Sequence, residues 1–205
     1  MSDGGCHSLG ADRADRGSDP GTVRVALAGN PNVGKSSLFN QLTGAHQHIG
    51  NWPGKTVERR SGTCRRGHVP LTVVDLPGTY SLASSSPEEV VAEEALLGEG
   101  VDVVAVVLDS TNLERNLYLA AQAAELGRPV VLVLNMADRA AAAGLRIDDL
   151  TLEGAFAAPV VRTVGRTGEG IDELVDVLTR SAGAVAGRPA VRTIPTPRRS
   201  EGNAR

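Results

Sequence analysis

Aromatic side chains are nearly absent from this chain, which has one Trp, two Tyr and two Phe in 205 residues. Its core must therefore be packed by aliphatic residues. Lysine is scarcer than arginine: of 21 basic residues only Lys35 and Lys55 are lysines. Cysteine is limited to Cys6 and Cys64 with no Cys-x-x-Cys spacing, which argues against a disulfide framework or a zinc site and points to a reducing compartment. Cys6-His7 and His46-x-His48 lack further ligands at useful spacing. Long apolar runs are missing too. Those at 101–108 and 129–134 fall far short of the ~18 residues a spanning helix needs. The polar N-terminus has no signal-peptide stretch, so a soluble, cytoplasmic chain is expected. A net charge of -3 offers no electrostatic case for nucleic acid, and no nucleic-acid partner is expected.

What is present is enough for one α/β domain. The apolar content of 41% and the length suit a single core. Residues 1–21 and 183–205 read as polar, aperiodic, disordered tails around a domain at 22–182. Within it, buried-strand runs alternate with helical patterns, the signature of a mostly parallel sheet with helices on both faces. The strands are VRVALAG, TVERRSGTCRRG, HVPLTVVDLPG, VDVVAVVLDS, PVVLVLNM and APVVRTV, the second and third joined as a hairpin at Arg66-Gly67. The helices are KSSLFNQLTG closed by Gly44, SPEEVVAEEALL capped by Ser86, LERNLYLAAQAAELG ended by Gly127, and GIDELVDVLTRSAG.

The first strand runs into GNPNVGKSS, that is Gly29, Asn30, Pro31, Asn32, Val33, Gly34, Lys35, Ser36 and Ser37. It satisfies G-x-x-x-x-G-K-[ST] between a strand and a helix. The glycines let the backbone curl so that successive N–H groups face a phosphate, Lys35 neutralises the β/γ-phosphates, and Ser36 is placed to ligate Mg²⁺. A chain that uses Arg nearly everywhere keeps a compact ammonium where a phosphate pocket needs a point charge. The strand before DLPG ends in Asp75, whose carboxylate can hold the Mg²⁺ shell through water, followed by Leu76, Pro77 and Gly78. The Gly78 N–H can meet a γ-phosphate. NMAD follows a buried strand with Asn135, Met136 and Asp138. A carboxylate at Asp138 can accept from guanine N1–H and the N2 amine together, donors that adenine lacks, so GTP is expected over ATP.

Together, GNPNVGKSSLFNQLTG, IGNWPGKTVE, DLPGTYSL, SPEE and NMAD resemble the translation-factor class of small GTPases. Within it they resemble the cytosolic G domain of the ferrous iron transporter B family, FeoB, over about residues 22–182. The resemblance implies a Ras-like P-loop NTPase fold: a six-stranded, mostly parallel sheet with one antiparallel edge strand and helices on both faces. It implies a GTP hydrolase regulating ferrous iron uptake through a membrane-embedded permease domain or subunit at the cytosolic face, with homo-oligomers conceivable. Catalysis would rest on Lys35, Asn32, Thr56 and Gly78. Thr56 would be the switch I threonine on Mg²⁺, and Asn32 would bind K⁺ with the backbone carbonyls of Gly50 and Trp52.

Two features depart from the common pattern. Thr79 stands where many small GTPases carry a glutamine, which predicts slow intrinsic hydrolysis. The fifth motif reads TVGRTGEG, so base contacts from Thr163, Val164 and Gly165 are expected mainly from backbone N–H groups. Two other readings stay open: a GTP sensor with negligible turnover, and a ribosome- or RNA-associated GTPase. Either a fragment or a separate GTPase subunit fits the short tail. Trp52, set in a loop, reads as a lid residue of switch I. Lys55 has no assigned role.

Overall fold

The structure, a computed structural model, describes residues 21–183 except 45, 84 and 99. The expected tails lie outside the described residues save for Gly21 and Gly183. Strand β1 (Val23–Gly29) is the centre of the sheet, flanked by β4 (Leu71–Asp75) and β5 (Val103–Asp109). Both neighbours run parallel to it, and β6 (Val130–Asn135) and β7 (Val160–Arg162) continue in the same sense. Strand β3 (Glu58–Cys64) pairs antiparallel with β4, as the hairpin reading requires.

Alternation along each strand sorts the side chains onto two faces. Val25 and Leu27 of β1 join a core under α1 (Lys35–Thr43) and α6 (Ile171–Gly183). Ala26 and Ala28 join a second core under α2 (Pro87–Leu97), α3 (Leu113–Glu125) and α5 (Asp149–Phe156), a short helix after α4 (Ala137–Ala142). Among the described residues Phe39 is the one fully buried aromatic, as the composition foretells. Ser86 caps α2, its hydroxyl accepting from Glu89 N–H at 3.2 Å.

The sheet has seven strands, which corrects the expected six. The seventh, β2 (Gln47–Asn51), lies at the edge, antiparallel to β3, in a segment read as loop. Its QHIGN sequence has no apolar alternation, and four of its five side chains are exposed. It is a strand because its backbone pairs with β3, not because it buries anything. Helices α4 and α5 were also not anticipated. The first is a short alanine-rich turn. The second starts at Asp148, whose carboxylate accepts from Thr151 N–H at 3.2 Å and from its hydroxyl at 2.7 Å. The hydroxyl bond, with the backbone bond second, holds the Asp148 carboxyl below the usual carboxylate range.

Registers Leu27↔Asp75, Gly29↔Val107 and Asp109↔Asn135 bring the ends of four strands to one edge of the sheet. All the expected motifs leave from that edge, switch I included because Arg60 pairs with Asp75 and Asn51 with Glu58, and it is where open α/β sheets bind ligands.

Candidate nucleotide site

At the end of β1 the chain has room only for glycine. A Cβ on Gly29 would lie 2.7 Å from the Val107 carbonyl oxygen. The loop then turns through two left-handed residues, Asn32 at φ 68° and Gly34 at φ 83°, a conformation costly for most side chains. Gly34 begins α1 with no side-chain cap, and the first turn carries no acidic residue. The N–H groups at this helix start are left for an anion. Ser36 and Ser37 are exposed on that turn.

Lys35 is 9% exposed, and its Nζ donates to Asp75 Oδ1 at 2.7 Å. The two groups that the sequence assigns to phosphate and to the Mg²⁺ shell are therefore already in contact, each neutralising a charge that burial would otherwise make costly. Beyond Asp75 the loop lies against the phosphate loop: a Cβ on Gly78 would sit 3.1 Å from Pro31 Cα, and Thr79 N–H donates to Gly29 O at 3.3 Å. Thr79 is itself only 5% exposed. Leu76 is buried and Pro77 half-buried.

Asn135 is 2% exposed and ties three loops together. Its Nδ2 donates to Val33 O at 2.8 Å, and its Oδ1 accepts from Gly165 N–H at 2.9 Å and from the Thr163 hydroxyl at 3.3 Å. Its amide is spent on clamping the phosphate loop to the fifth-motif loop, a role the tetrapeptide alone does not reveal. Val164 N–H donates to Glu169 O at 3.0 Å. The Val164 and Gly165 N–H groups expected to face a base are thus engaged within the protein. Met136, at φ 60°, turns the chain so that Asp138 projects from α4, with Arg166 Nη2 at 3.7 Å from its Oδ2. Sequence reasoning missed Arg166.

Asn30 donates from Nδ2 to Arg115 O at 3.2 Å while its Oδ1 is buried without a partner. Arg115 also lies over the Tyr80 ring at 4.6 Å. The start of α3 therefore braces both the phosphate loop and the segment after Gly78.

Three expected residues start from this edge, where Arg60 pairs with Asp75, but none is hydrogen-bonded to the phosphate loop among the described residues. Gly50 pairs with Arg59 in β2. Trp52 O accepts from Lys55 N–H at 3.0 Å and the indole packs against the second core. Thr56 is exposed with no hydrogen bond to the phosphate loop. The exposed Asn32 is close to neither Gly50 nor Trp52 through any hydrogen bond. The residues at the strand edge nonetheless fit a Mg²⁺–nucleotide: an uncapped helix start, a buried Lys–Asp pair, an exposed Ser36 hydroxyl, and a cradle in which a Cβ on Gly34 would strike Asn135 Nδ2 at 2.3 Å.

That cradle makes Gly34→Ala a direct probe. The clash and the left-handed strain together should destabilise the protein by about 3 kcal/mol, read as a lowered urea midpoint. An unchanged midpoint would mean that the Asn135 clamp is not rigid.

The model of the family described as ferrous iron transport protein B matches residues 23–178. The chain belongs to the FeoB family. A fused Fe(2+) transport protein A/FeoB transporter of Porphyromonas gingivalis is 50% identical over 157 residues, covering 76% of this chain and 19% of that protein. The FeoB transporter of Salmonella typhimurium is 47% identical over 156 residues, 74% of this chain and 20% of its own length. This FeoB-family chain thus spans about a fifth of the length of those relatives. Among solved structures, the T. maritima FeoB G domain aligns with TM-score 0.72 at 43% identity, over 78% of this chain and 99% of that one. The GDP form I of the T. maritima cytosolic domain aligns at TM-score 0.76 and 44% identity, over 78% and 63%. The fold is Ras-like, with the P-loop where the sequence places it. Among the described residues no helix is long and apolar enough to cross a membrane.

Proposed function

We propose that this chain binds and hydrolyses GTP and acts as the cytosolic switch of a ferrous iron uptake system, working through a membrane-embedded permease domain or subunit. The observation that carries the reading is the Lys35–Asp75 contact at 2.7 Å beside an uncapped helix start. A triphosphate arriving there meets the α1 N–H groups and draws Lys35 Nζ from Asp75 to its β/γ oxygens. Ser36, Thr56 and, through water, Asp75 would hold Mg²⁺. Mg²⁺ would supply charge neutralisation across the phosphates. The relatives' names support iron as the cargo, and GDP is bound in a T. maritima relative.

Position 79 holds a buried threonine and not the amide side chain that orients water in many small GTPases. K⁺ held by Asn32 is proposed to supply the missing positive charge near the β/γ-phosphates, assisted by switch I carbonyls. Single-turnover hydrolysis by the purified chain should be about tenfold faster or more in K⁺ than in Na⁺, and Asn32→Ala should erase the difference while nucleotide binding persists. Equal rates in the two salts would remove K⁺ from the mechanism. The buried Thr79 also favours a second reading, a GTP sensor with negligible turnover; absence of phosphate release in single turnover with K⁺ and Mg²⁺ would establish it.

A further inference from the structure

Switch I leaves the sheet at the phosphate edge, where Arg60 pairs with Asp75, but its turn is folded back against α2. The turn at 52–57 is closed by Trp52 N–H to Val57 O at 2.9 Å and Lys55 N–H to Trp52 O at 3.0 Å. Trp52 and Lys55 line a groove of about 500 Å³ together with Arg24 at the start of β1 and with Val91, Glu94 and Val101. Along β1, Arg24 and the phosphate-loop end at Gly29 are separated by about 16 Å of strand. The Arg59 guanidinium stacks on the outer face of the indole, 5.2 Å from its centroid. Lys55 Nζ reaches across to Glu94 Oε2 on α2 at 2.7 Å. Helix α2 is the element that follows the Asp75–Gly78 loop, so the Lys55–Glu94 ion pair joins the two segments expected to respond to the γ-phosphate.

We propose that Trp52, Lys55 and Glu94 form an autoinhibitory latch that parks switch I against α2, so that Thr56 reaches the nucleotide only after the Lys55–Glu94 pair opens and the indole leaves its groove. The latch rests on the GTPase reading above. It opposes GTP, which needs Thr56, and leaves GDP untouched, because GDP presents no γ-phosphate to recruit switch I. It also gives a purpose to the second lysine: a flexible, single-point ammonium makes one releasable contact, where a guanidinium would bind the carboxylate in a two-pronged fork. The half-exposed pair is weak by itself, which suits a latch that must open in each cycle.

Because Trp52 is the sole tryptophan, intrinsic fluorescence reads the latch directly. In nucleotide-free full-length chain, Glu94→Gln should raise acrylamide quenching of Trp52. Its affinity for a non-hydrolysable GTP analogue with Mg²⁺ should rise about threefold or more, because a larger fraction is binding-competent, while GDP affinity stays at the wild-type value. The swapped pair Lys55→Glu with Glu94→Lys should restore both wild-type readings. Wild-type quenching in Glu94→Gln, equal shifts for GDP and the analogue, or no recovery in the swap would each overturn the latch. Should the wild-type chain bind neither nucleotide while Glu94→Gln still raises quenching, the GTPase reading falls, and the parked turn is a structural contact without an inhibitory role.

Discussion

Lys35→Ala is expected to weaken GTP binding by about a hundredfold or more and, separately, to destabilise the empty protein by about 3 kcal/mol. The two effects have one origin. Lys35 Nζ and Asp75 Oδ1 are 2.7 Å apart, with side chains 10% and 8% exposed. Truncating the lysine leaves a carboxylate buried without its counter-charge, and it also removes the ammonium that the sequence assigns to the phosphates. The effects separate in a second variant. Lys35→Met with Asp75→Leu replaces both charges by apolar groups of similar reach, and should recover most of the lost urea stability without recovering nucleotide affinity. Fluorescent-nucleotide titration and urea unfolding of the same three proteins provide the test. A single Lys35→Ala variant that binds GTP within threefold of wild type would show that the phosphate site lies elsewhere.

Asp138→Asn should lower affinity for GTP by about a thousandfold and raise affinity for xanthosine triphosphate. A carboxylate accepting from guanine N1–H and N2 makes two hydrogen bonds to a charged group, each worth about 1.5–3 kcal/mol. The asparagine amide keeps one acceptor and adds a donor, which repels the guanine amine and suits the carbonyl that xanthine carries there. Arg166 lies 3.7 Å from Asp138 with 77% of its side chain exposed, so the arriving base displaces a weak contact rather than a firm one. Competition binding with GTP, XTP and ATP reads the outcome. If wild-type protein binds ATP as well as GTP, Asp138 does not select the base.

Most of the fold was legible because the sheet interior is written in apolar runs. VRVALAG, VDVVAVVLD and VVLVLN are strands with both faces covered, and the first and last end at Gly29 and Asn135 on the site edge. The edge strand β2 was not legible, since Gln47–Asn51 contributes exposed side chains and is ordered only by its partner's backbone. The phosphate loop could be read because its chemistry is local in the chain. The clamp made by Asn135 could not, because Val33 and Gly165, which it joins, stand 102 and 30 residues away. Lys55 lacked a role for the same reason: Glu94 is 39 residues downstream. The lone tryptophan stood out in the sequence as a loop residue, and the fold packs it against the second core. Its groove on the α2 side needed the folded sheet to be seen.

The Asn135 clamp has a kinetic meaning as well. One amide holds the phosphate loop through Val33 and the fifth-motif loop through Gly165, so the two ends of a bound nucleotide do not rest on independently mobile walls. Order in one loop is order in the other, and the entropy of arranging them is lost on folding rather than at each binding event. A nucleotide held between the two loops would leave such a cleft in one step, as the shared clamp opens.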